Sequence, residues 1–152
     1  MERKGRLDWT KLITILVNDK RRNQVIVEEV ERQLLQGRNI LIISERVKHL
    51  KILLDSVSAN GCLYIGEKSV GAKRKRDEEF RLKPKLVLTS KAMASEGFDW
   101  QECDTVIFAT PFTASANFQQ ACGRCSRTTT GSSRLVDFVD RTPALKQISA
   151  LL

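Results

Sequence analysis

The sequence predicts an α/β domain of three layers, in which a mainly parallel central sheet is flanked by helices. Five short apolar runs alternate with segments whose apolar residues recur at helical spacing. A short, continuous apolar run is typical of a strand that is buried on both faces, as the strands of parallel sheets are. Strands and helices that alternate at this spacing favour parallel pairing through right-handed crossovers.

The predicted elements follow one another along the chain. Strands are predicted at residues 39–44, 62–65, 85–89, 105–109 and 135–139. A helix is predicted at 23–36, and Gly37 follows it as a C-cap residue. Ser44 is a candidate N-cap for a helix that runs to about Ala59. Further helices are predicted at 73–81 and 114–126, and a short one opens at Pro143.

Length and composition indicate one globular domain with a basic balance of charge. The chain has 152 residues, and Lys plus Arg total 26 against 18 for Asp plus Glu, which gives a net charge of +8. A basic balance favours polyanions such as nucleic acid or nucleotide, although it also serves solubility alone. No apolar run is long enough to cross a bilayer, and no apolar signal-peptide core follows the charged N-terminus. We therefore expect an intracellular protein, in cytoplasm or nucleus, with no membrane partner.

The cysteines and the single histidine do not suggest a metal site. Cys122 and Cys125 have the C-x-x-C spacing of a zinc or redox half-site. A zinc site needs further ligands, and the sequence contains one histidine, His49, and no second C-x-x-C. We therefore expect no metal ligands and cysteines that serve packing. His49 is expected on an exposed helix face, without a catalytic role.

The segment from Gln120 to Arg127 carries the strongest chemical signal. It reads Q-x-x-G-R-x-x-R, in which Gly123 precedes the first arginine. Arg124 and Arg127 are three residues apart on a predicted helix, so they share one face. Two guanidinium groups directed at one point form a fork that suits a polyphosphate. The pair therefore indicates half of a site whose other half lies elsewhere.

The chain has no convincing phosphate-binding loop of its own. Residues 61–69 approach the pattern G-x-x-x-x-G-K-S/T, but Glu67 is an extra residue there and its carboxylate would repel phosphate. Residues 62–65 also read as a strand rather than as a loop. We interpret the segment as a strand followed by a glycine turn.

A second candidate site follows the third predicted strand. Thr89 and Ser90 stand where backbone N–H groups at the start of a helix can receive a phosphate. Gly97 permits a close approach of the backbone, and Asp99 can accept a hydrogen bond from a ribose hydroxyl. A capped helix that ends in a glycine turn is the alternative for this segment.

Two other features favour structural interpretations. The basic run at 73–76 is followed at once by acidic residues, which favours a solvated helix with internal ion pairs over contact with nucleic acid. Trp9 and Trp100 are able to stack on bases, but packing is the preferred interpretation for both.

Together, three segments resemble motifs of the second RecA-like domain of superfamily 2 helicases. Gln120 to Arg127 is similar to the last motif, and Thr89 with 96–99 to the motif before it. Residues 40–46, followed by a leucine-rich helix, resemble the motif that opens the domain. The resemblance covers residues 12–139, and 19–23 are similar to the lead-in of DNA-repair, phage and large-DNA-virus members. Residues 1–22 are accordingly predicted as a lead-in and 23–152 as the helicase C-terminal domain.

The resemblance implies a nucleotide-facing role for six residues. Arg124 and Arg127 are expected to act as an arginine finger on ATP, and Gln120 to contact the attacking water or an acidic metal-binding motif. The expected cofactor-binding residues near the ribose and the cleft are Gly97, Asp99 and Gly123.

The resemblance also implies a grip on nucleic acid that does not read its sequence. The residues expected to contact the backbone phosphates are Ser44, Arg46, Thr89 and Ser90. DNA and RNA are not distinguished by these residues.

The phosphate-loop lysine and the acidic magnesium motif of a complete motor are missing from this sequence. We therefore expect ATP and Mg²⁺ to be seated mainly on an N-terminal RecA-like domain of the same polypeptide. The isolated chain is expected not to hydrolyse ATP. Two alternatives stay open, namely a non-catalytic nucleic-acid-binding module on the same fold and a protein-interaction domain.

Overall fold

The computed structural model describes residues 2–3, 6–95, 98–111 and 134–138 of the chain. The elements in this part are β1 (Glu2–Arg3), β2 (Arg6–Leu7), α1 (Trp9–Asn18), α2 (Lys20–Leu35), β3 (Ile40–Ser44), α3 (Val47–Ser56), β4 (Cys62–Tyr64), α4 (Val70–Arg81), β5 (Leu86–Ser90), α5 (Lys91–Ser95), β6 (Thr105–Phe108) and β7 (Arg134–Asp137). The predicted helices at 114–126 and after Pro143 lie outside the described residues.

The five described strands from β3 to β7 form one sheet in the order β4-β5-β3-β6-β7. Every pair of neighbours in it is parallel, so the predicted parallel sheet is confirmed. A separate antiparallel ladder joins β1 to β2. Neither this ladder nor α1 is among the elements predicted above. The signal for α1 is nevertheless present, because Leu12, Ile13, Leu16 and Val17 recur at helical spacing and are all buried.

The central strand β3 is buried on both faces, as its continuous apolar sequence predicts. Successive side chains of a strand point to opposite faces, and β3 divides its residues accordingly. Ile40 and Ile42 join the cluster formed with Ile26 and Val30 of α2 and with Leu50 of α3. The two intervening side chains, Leu41 and Ile43, join the cluster on the opposite face with Val87, Val106, Phe108 and Trp100. The sheet therefore lies between two apolar layers.

Side-chain caps explain why two helices begin earlier than predicted. The helix predicted at 23–36 begins at Lys20, because Asp19 is its N-cap and accepts a hydrogen bond from the backbone N–H of Arg22 at 3.1 Å. The helix predicted from residue 73 begins at Val70, because Ser69 accepts from the N–H of Ala72 at 3.0 Å. The predicted domain boundary after residue 22 falls within α2 and stays a prediction.

The end and the N-cap of α3 differ from the prediction. It covers Val47–Ser56 rather than extending to about Ala59, and its N-cap is Arg46 instead of Ser44. Gly37, which follows α2, has a φ of 75°, a left-handed value that glycine adopts without strain. Among the described residues, no helix is both long and apolar enough to cross a membrane.

A nearly buried ion pair fixes the amino end of the sheet. Arg38 Nε lies 3.2 Å from Asp104 Oδ1. The same oxygen accepts hydrogen bonds from the backbone N–H of Asn39 at 3.1 Å and from Thr105 Oγ1 at 2.9 Å. These bonds hold the residues that precede β3 beside those that precede β6.

We predict that Asp104→Ala lowers the free energy of unfolding by about 3 kcal/mol, because the guanidinium of Arg38 stays buried after its carboxylate is removed. Urea denaturation followed by circular dichroism measures this loss. Glu102→Ala, which removes an exposed carboxylate two residues away, is the matched control and should change the free energy by less than about 0.5 kcal/mol. Equal effects of the two changes would contradict the role of the ion pair.

Candidate functional site

The carboxyl ends of β3, β5 and β6 bring together polar residues from separate parts of the sequence. In the parallel ladders Ser44 is opposite Ser90, and Ile43 is opposite both Thr89 and Phe108. Thr110 follows β6 at the same edge. This register places Ser44, Thr89 and Ser90 together at the carboxyl edge of the sheet.

A buried hydrogen-bond chain lies directly behind this edge. Ser44 Oγ is 2.9 Å from His49 Nδ1, and His49 Nε2 is 2.7 Å from Asn23 Oδ1. Asn23 Nδ2 in turn donates to the carbonyl oxygen of Val17 at 2.9 Å. This chain, which we call the His49 network, joins α1, α2, α3 and β3.

The expectation that His49 lies on an exposed helix face is wrong, because the imidazole is fully buried. Its position was signalled by Leu53, which is buried and four residues away on the same face of α3. A buried polar ring requires partners for both nitrogens, and Ser44 and Asn23 supply them. Asn23, at the predicted start of its helix, was not identified as a functional residue.

The geometry determines the tautomer of His49. Asn23 uses its amide nitrogen on Val17, so it presents its oxygen to the imidazole. A carbonyl oxygen only accepts, and Nε2 must therefore carry the proton. Nδ1 is then an acceptor and receives the hydroxyl hydrogen of Ser44. Burial and, as the second cause, the charge of Arg22 lower the pKa of His49 to about 4, so the neutral ring persists at neutral pH.

The loop between β3 and α3 is held by hydroxyl groups. The backbone N–H of Glu45 donates to Thr110 Oγ1 at 3.0 Å, and the N–H of Arg46 donates to Ser44 Oγ at 3.3 Å. The guanidinium of Arg46 donates to the carbonyl oxygen of Thr10 at 3.3 Å. Glu45 also forms an ion pair of 3.0 Å with Lys91 of α5. Consecutive N–H groups of this loop are thus fixed by residues at the ends of β3 and β6.

The N-terminus of α3 differs from those of three other helices. Asp8, Asp19 and Ser69 each accept a backbone hydrogen bond as caps of α1, α2 and α4. Within the described part of the chain, Arg46 makes no side-chain hydrogen bond of this kind at α3. The positive end of the α3 dipole therefore lies beside an arginine at the carboxyl edge of the sheet.

The four residues predicted to contact phosphates divide into two pairs. Ser44 and Thr89 are fully buried, and their hydroxyls already bond within the domain, since Thr89 Oγ1 donates to the carbonyl oxygen of Tyr64 at 2.7 Å. Arg46 and Ser90 are partly exposed, and Ser90 Oγ accepts from the N–H of Met93 at 3.2 Å at the start of α5. Direct phosphate contact by any of the four stays a prediction.

An aromatic cluster anchors the segment that carries Asp99. Asp99 itself is exposed, whereas its neighbours Phe98 and Trp100 are buried. The ring of Phe98 lies 5.1 Å from that of Tyr64 and 5.6 Å from that of Phe80, and Trp100 lies 6.3 Å from Phe80. Packing is therefore the observed role of Trp100.

The basic run at 73–76 is only partly a solvated surface. Arg76 ion-pairs with Asp77 at 3.1 Å, as the alternation of charges predicts. It also donates to the carbonyl oxygen of Ile65 at 2.8 Å and lies 4.3 Å from the centroid of the Tyr64 ring. Arg76 therefore ties α4 to the end of β4.

The cysteines that the structure describes serve packing. Cys62 and Cys103 are both buried, and burial raises the pKa of the Cys62 thiol to about 11. Among the described residues no group of three or more His, Cys, Asp or Glu side chains is arranged to hold a metal ion. Cys122 and Cys125 lie outside the described residues, as do Gly97, Gln120, Gly123, Arg124 and Arg127.

The chain is similar to helicase C-terminal domains in sequence. Residues 12–129 match the helicase conserved C-terminal domain family. A protein of Acanthamoeba polyphaga mimivirus, named "Putative ATP-dependent RNA helicase", is 32% identical over 120 residues, which are 78% of this chain and 22% of that protein. The chain thus spans about a fifth of the length of this curated relative.

The fold is shared with solved structures of low sequence identity. The C-terminal part of the Fun30 ATPase domain superposes with a TM-score of 0.71 at 14% identity, over 86% of this chain and 44% of that one. T4 UvsW has a TM-score of 0.67 at 17% identity, over 88% and 28% of the two chains. S. cerevisiae Dbp5 bound to RNA and ADP BeF3 has a TM-score of 0.67 at 18% identity, over 86% and 35%. These likenesses confirm the predicted three-layer RecA-like fold.

The buried neutral imidazole predicts a specific loss of stability in acid. Between pH 6.5 and about 4 the unfolded chain binds a proton at His49 that the folded chain excludes, so stability falls as pH falls through this window. The free energy of unfolding should drop by about 2 kcal/mol between pH 7.5 and pH 5, measured by urea denaturation.

His49 is the one histidine of the sequence, so His49→Gln is a direct control for this titration. The variant should be less stable at pH 7.5 but should lose much less stability on going to pH 5. Parallel pH profiles for the two proteins would show that the imidazole is not the titrating group.

Proposed function

The chain belongs to the helicase conserved C-terminal domain family, and we propose that it is the C-terminal half of an ATP-dependent superfamily 2 helicase or translocase. In this proposal it supplies an arginine finger to ATP and part of the grip on a nucleic-acid backbone. The observation that carries the proposal is the register that sets Ser44 opposite Ser90 at the carboxyl edge of the sheet. Ligands of open parallel sheets bind at this edge.

The proposed grip is electrostatic and independent of sequence. Arg46 supplies a partly exposed guanidinium beside the N-terminus of α3, and backbone N–H groups at a helix start favour phosphate oxygens. Ser90 lies one strand away at the same edge. The buried hydroxyl of Ser44 holds the backbone N–H of Arg46, and the buried hydroxyl of Thr89 ties β5 to the end of β4. The net charge of +8 favours the same class of partner.

The proposed catalytic contribution comes from the segment after β6. Arg124 and Arg127 stabilise the charge that develops during phosphoryl transfer, and Gln120 contacts the attacking water or the acidic motif of the partner domain. Gly97, Asp99 and Gly123 lie near the nucleotide in this proposal. ATP and Mg²⁺ are seated mainly on an N-terminal RecA-like domain. The relative named as an ATP-dependent RNA helicase and the Dbp5 structure with RNA and ADP BeF3 support the use of ATP in this proposal.

The catalytic proposal is tested on the product of the complete reading frame that contains this chain. Arg124→Ala should lower nucleic-acid-stimulated ATPase activity by about 10²-fold, because it removes a cation that stabilises the transition state. Arg32→Ala, which removes an exposed arginine from the last turn of α2, should leave the activity unchanged.

Two results would contradict this role. An Arg124→Ala protein with normal ATPase activity would remove the arginine finger from the proposal. Nucleic-acid binding without any ATPase activity in the unchanged protein would favour the alternative, a binding module on a helicase-like fold.

The grip is tested by the salt dependence of binding to a labelled single-stranded oligonucleotide of mixed sequence. Arg46→Ala should weaken binding by the 152-residue chain. It should also reduce the slope of log K against log salt by about 0.7, the share of one phosphate contact. Arg32→Ala is the control of equal charge change, because Arg32 lies near the amino end of β3 at the opposite edge of the sheet. Equal slopes for the two variants would mean that Arg46 acts only through net charge.

A further inference from the structure

In the proposed grip the His49 network does not itself contact nucleic acid, although it ends at the loop that carries Arg46. We propose that His49 is a positioning residue for nucleic-acid binding, which orients the Ser44 hydroxyl so that this hydroxyl fixes the backbone of Arg46. The inference rests on the proposed function, because it concerns the arginine of the proposed grip. It assigns a part in binding to a buried side chain that touches no ligand.

The direction of each hydrogen bond supports this assignment. Because Nε2 of His49 carries the proton, Nδ1 accepts the hydroxyl hydrogen of Ser44 at 2.9 Å. The lone pairs of Ser44 Oγ are thereby left for a donor, and the backbone N–H of Arg46 approaches this oxygen at 3.3 Å. Without an acceptor at Nδ1 the hydroxyl hydrogen would rotate to another partner, and the oxygen would no longer be held for Arg46.

Burial makes the arrangement a fixed one. Ser44 and His49 are both fully buried, so water does not compete for either group. The N–H of the preceding residue, Glu45, is held independently by Thr110 at 3.0 Å. Loss of the Ser44 bond would therefore free the backbone N–H of Arg46, while Glu45 stays attached to the sheet and the guanidinium of Arg46 keeps its bond to Thr10.

The two ring nitrogens of His49 connect to different parts of the domain. The Nδ1 side leads through Ser44 to Arg46, whereas the Nε2 side leads through Asn23 to the end of α1. Both sides contribute to stability, because each satisfies a buried polar group. Only the Nδ1 side acts on the backbone N–H of Arg46, whereas the Nε2 side acts on the last turn of α1, the helix whose Thr10 accepts from the guanidinium of Arg46.

Two substitutions of His49 separate these sides. In His49→Asn the side-chain oxygen takes the place of Nδ1 and still accepts from Ser44, but the bond to Asn23 is lost. In His49→Gln the longer side chain donates from the place of Nε2 to Asn23, but the acceptor for Ser44 is lost. Each variant keeps one of the two hydrogen bonds of His49, so each serves as the control for the other.

The experiment measures binding of the 152-residue chain to the labelled oligonucleotide, with urea denaturation of the same samples. His49→Gln should bind about 3- to 10-fold more weakly, the range of one hydrogen bond, and Arg46→Ala added to it should cost little more. His49→Asn should bind within about twofold of the unchanged chain, although its denaturation midpoint also falls.

Equal affinities of the Gln and Asn variants, together with an effective Arg46→Ala, would overturn the positioning role and leave the proposed grip intact. An ineffective Arg46→Ala would instead contradict the grip itself and the positioning role with it. Ser44→Ala removes the hydrogen bond at Nδ1 of His49, and Asn23→Ala removes the one at Nε2. These two variants replace the His49 variants in the test if a His49 variant does not fold. Ser44→Ala should then behave as His49→Gln does, and Asn23→Ala as His49→Asn does.

Discussion

Three helices and the central strand of this domain meet at one neutral imidazole. His49 accepts a hydrogen bond from Ser44 and donates one to Asn23, and the amide nitrogen of Asn23 donates in turn to the last turn of α1. The bond from Ser44 depends on the neutral ring, because a charged imidazole would present two donors and no acceptor for the hydroxyl hydrogen. The stability of the helices that pack on this face of the sheet therefore depends on the protonation state of His49. Burial and the nearby charge of Arg22 maintain that state by lowering the pKa of His49 to about 4.

The two ends of the sheet use buried polar groups for different purposes. At the amino end, Asp104 neutralises Arg38 and ties together the segments that precede β3 and β6. Both partners are charged, so the energetic penalty for removing one of them is large and local. At the carboxyl end the members of the His49 network are neutral hydroxyl, imidazole and amide groups, although the buried guanidinium of Arg22 lies beside them and donates to the carbonyl oxygen of Ala109. At this end the guanidinium of Arg46 donates to the carbonyl oxygen of Thr10, while the amino end is closed by the ion pair of Arg38 and Asp104.

The fold could be predicted from sequence because its central strands are continuous apolar runs, and no other element buries such runs on both faces. The strands appear within one or two residues of their predicted bounds. Helix starts were missed where a cap lay outside the apolar pattern, as Asp19 does for α2. Ser44 and Ser90 could be placed at one edge because parallel strands align their carboxyl ends. The direction of their side chains could not be predicted, because the partners that bury Ser44 and Thr89 are set by tertiary packing. His49 and Asn23 are 26 residues apart, and local periodicity carries no information about such a bond.

The burial of two of the four motif residues gives them a different role from the two that are partly exposed. Of the four motif positions that the resemblance selects, Ser44 and Thr89 have hydroxyls that bond to His49 and to the carbonyl oxygen of Tyr64 inside the domain. Their neighbours toward the surface, Arg46 and Ser90, are the ones that solvent reaches. A buried hydroxyl that fixes a backbone amide limits the conformations of the next residues, and a preorganised loop loses less entropy when a ligand binds. A hydroxyl at the end of a strand is therefore better suited to hold the loop in position than to contact phosphate itself. In the proposed grip the contact is made by Arg46, whose backbone N–H the Ser44 hydroxyl holds.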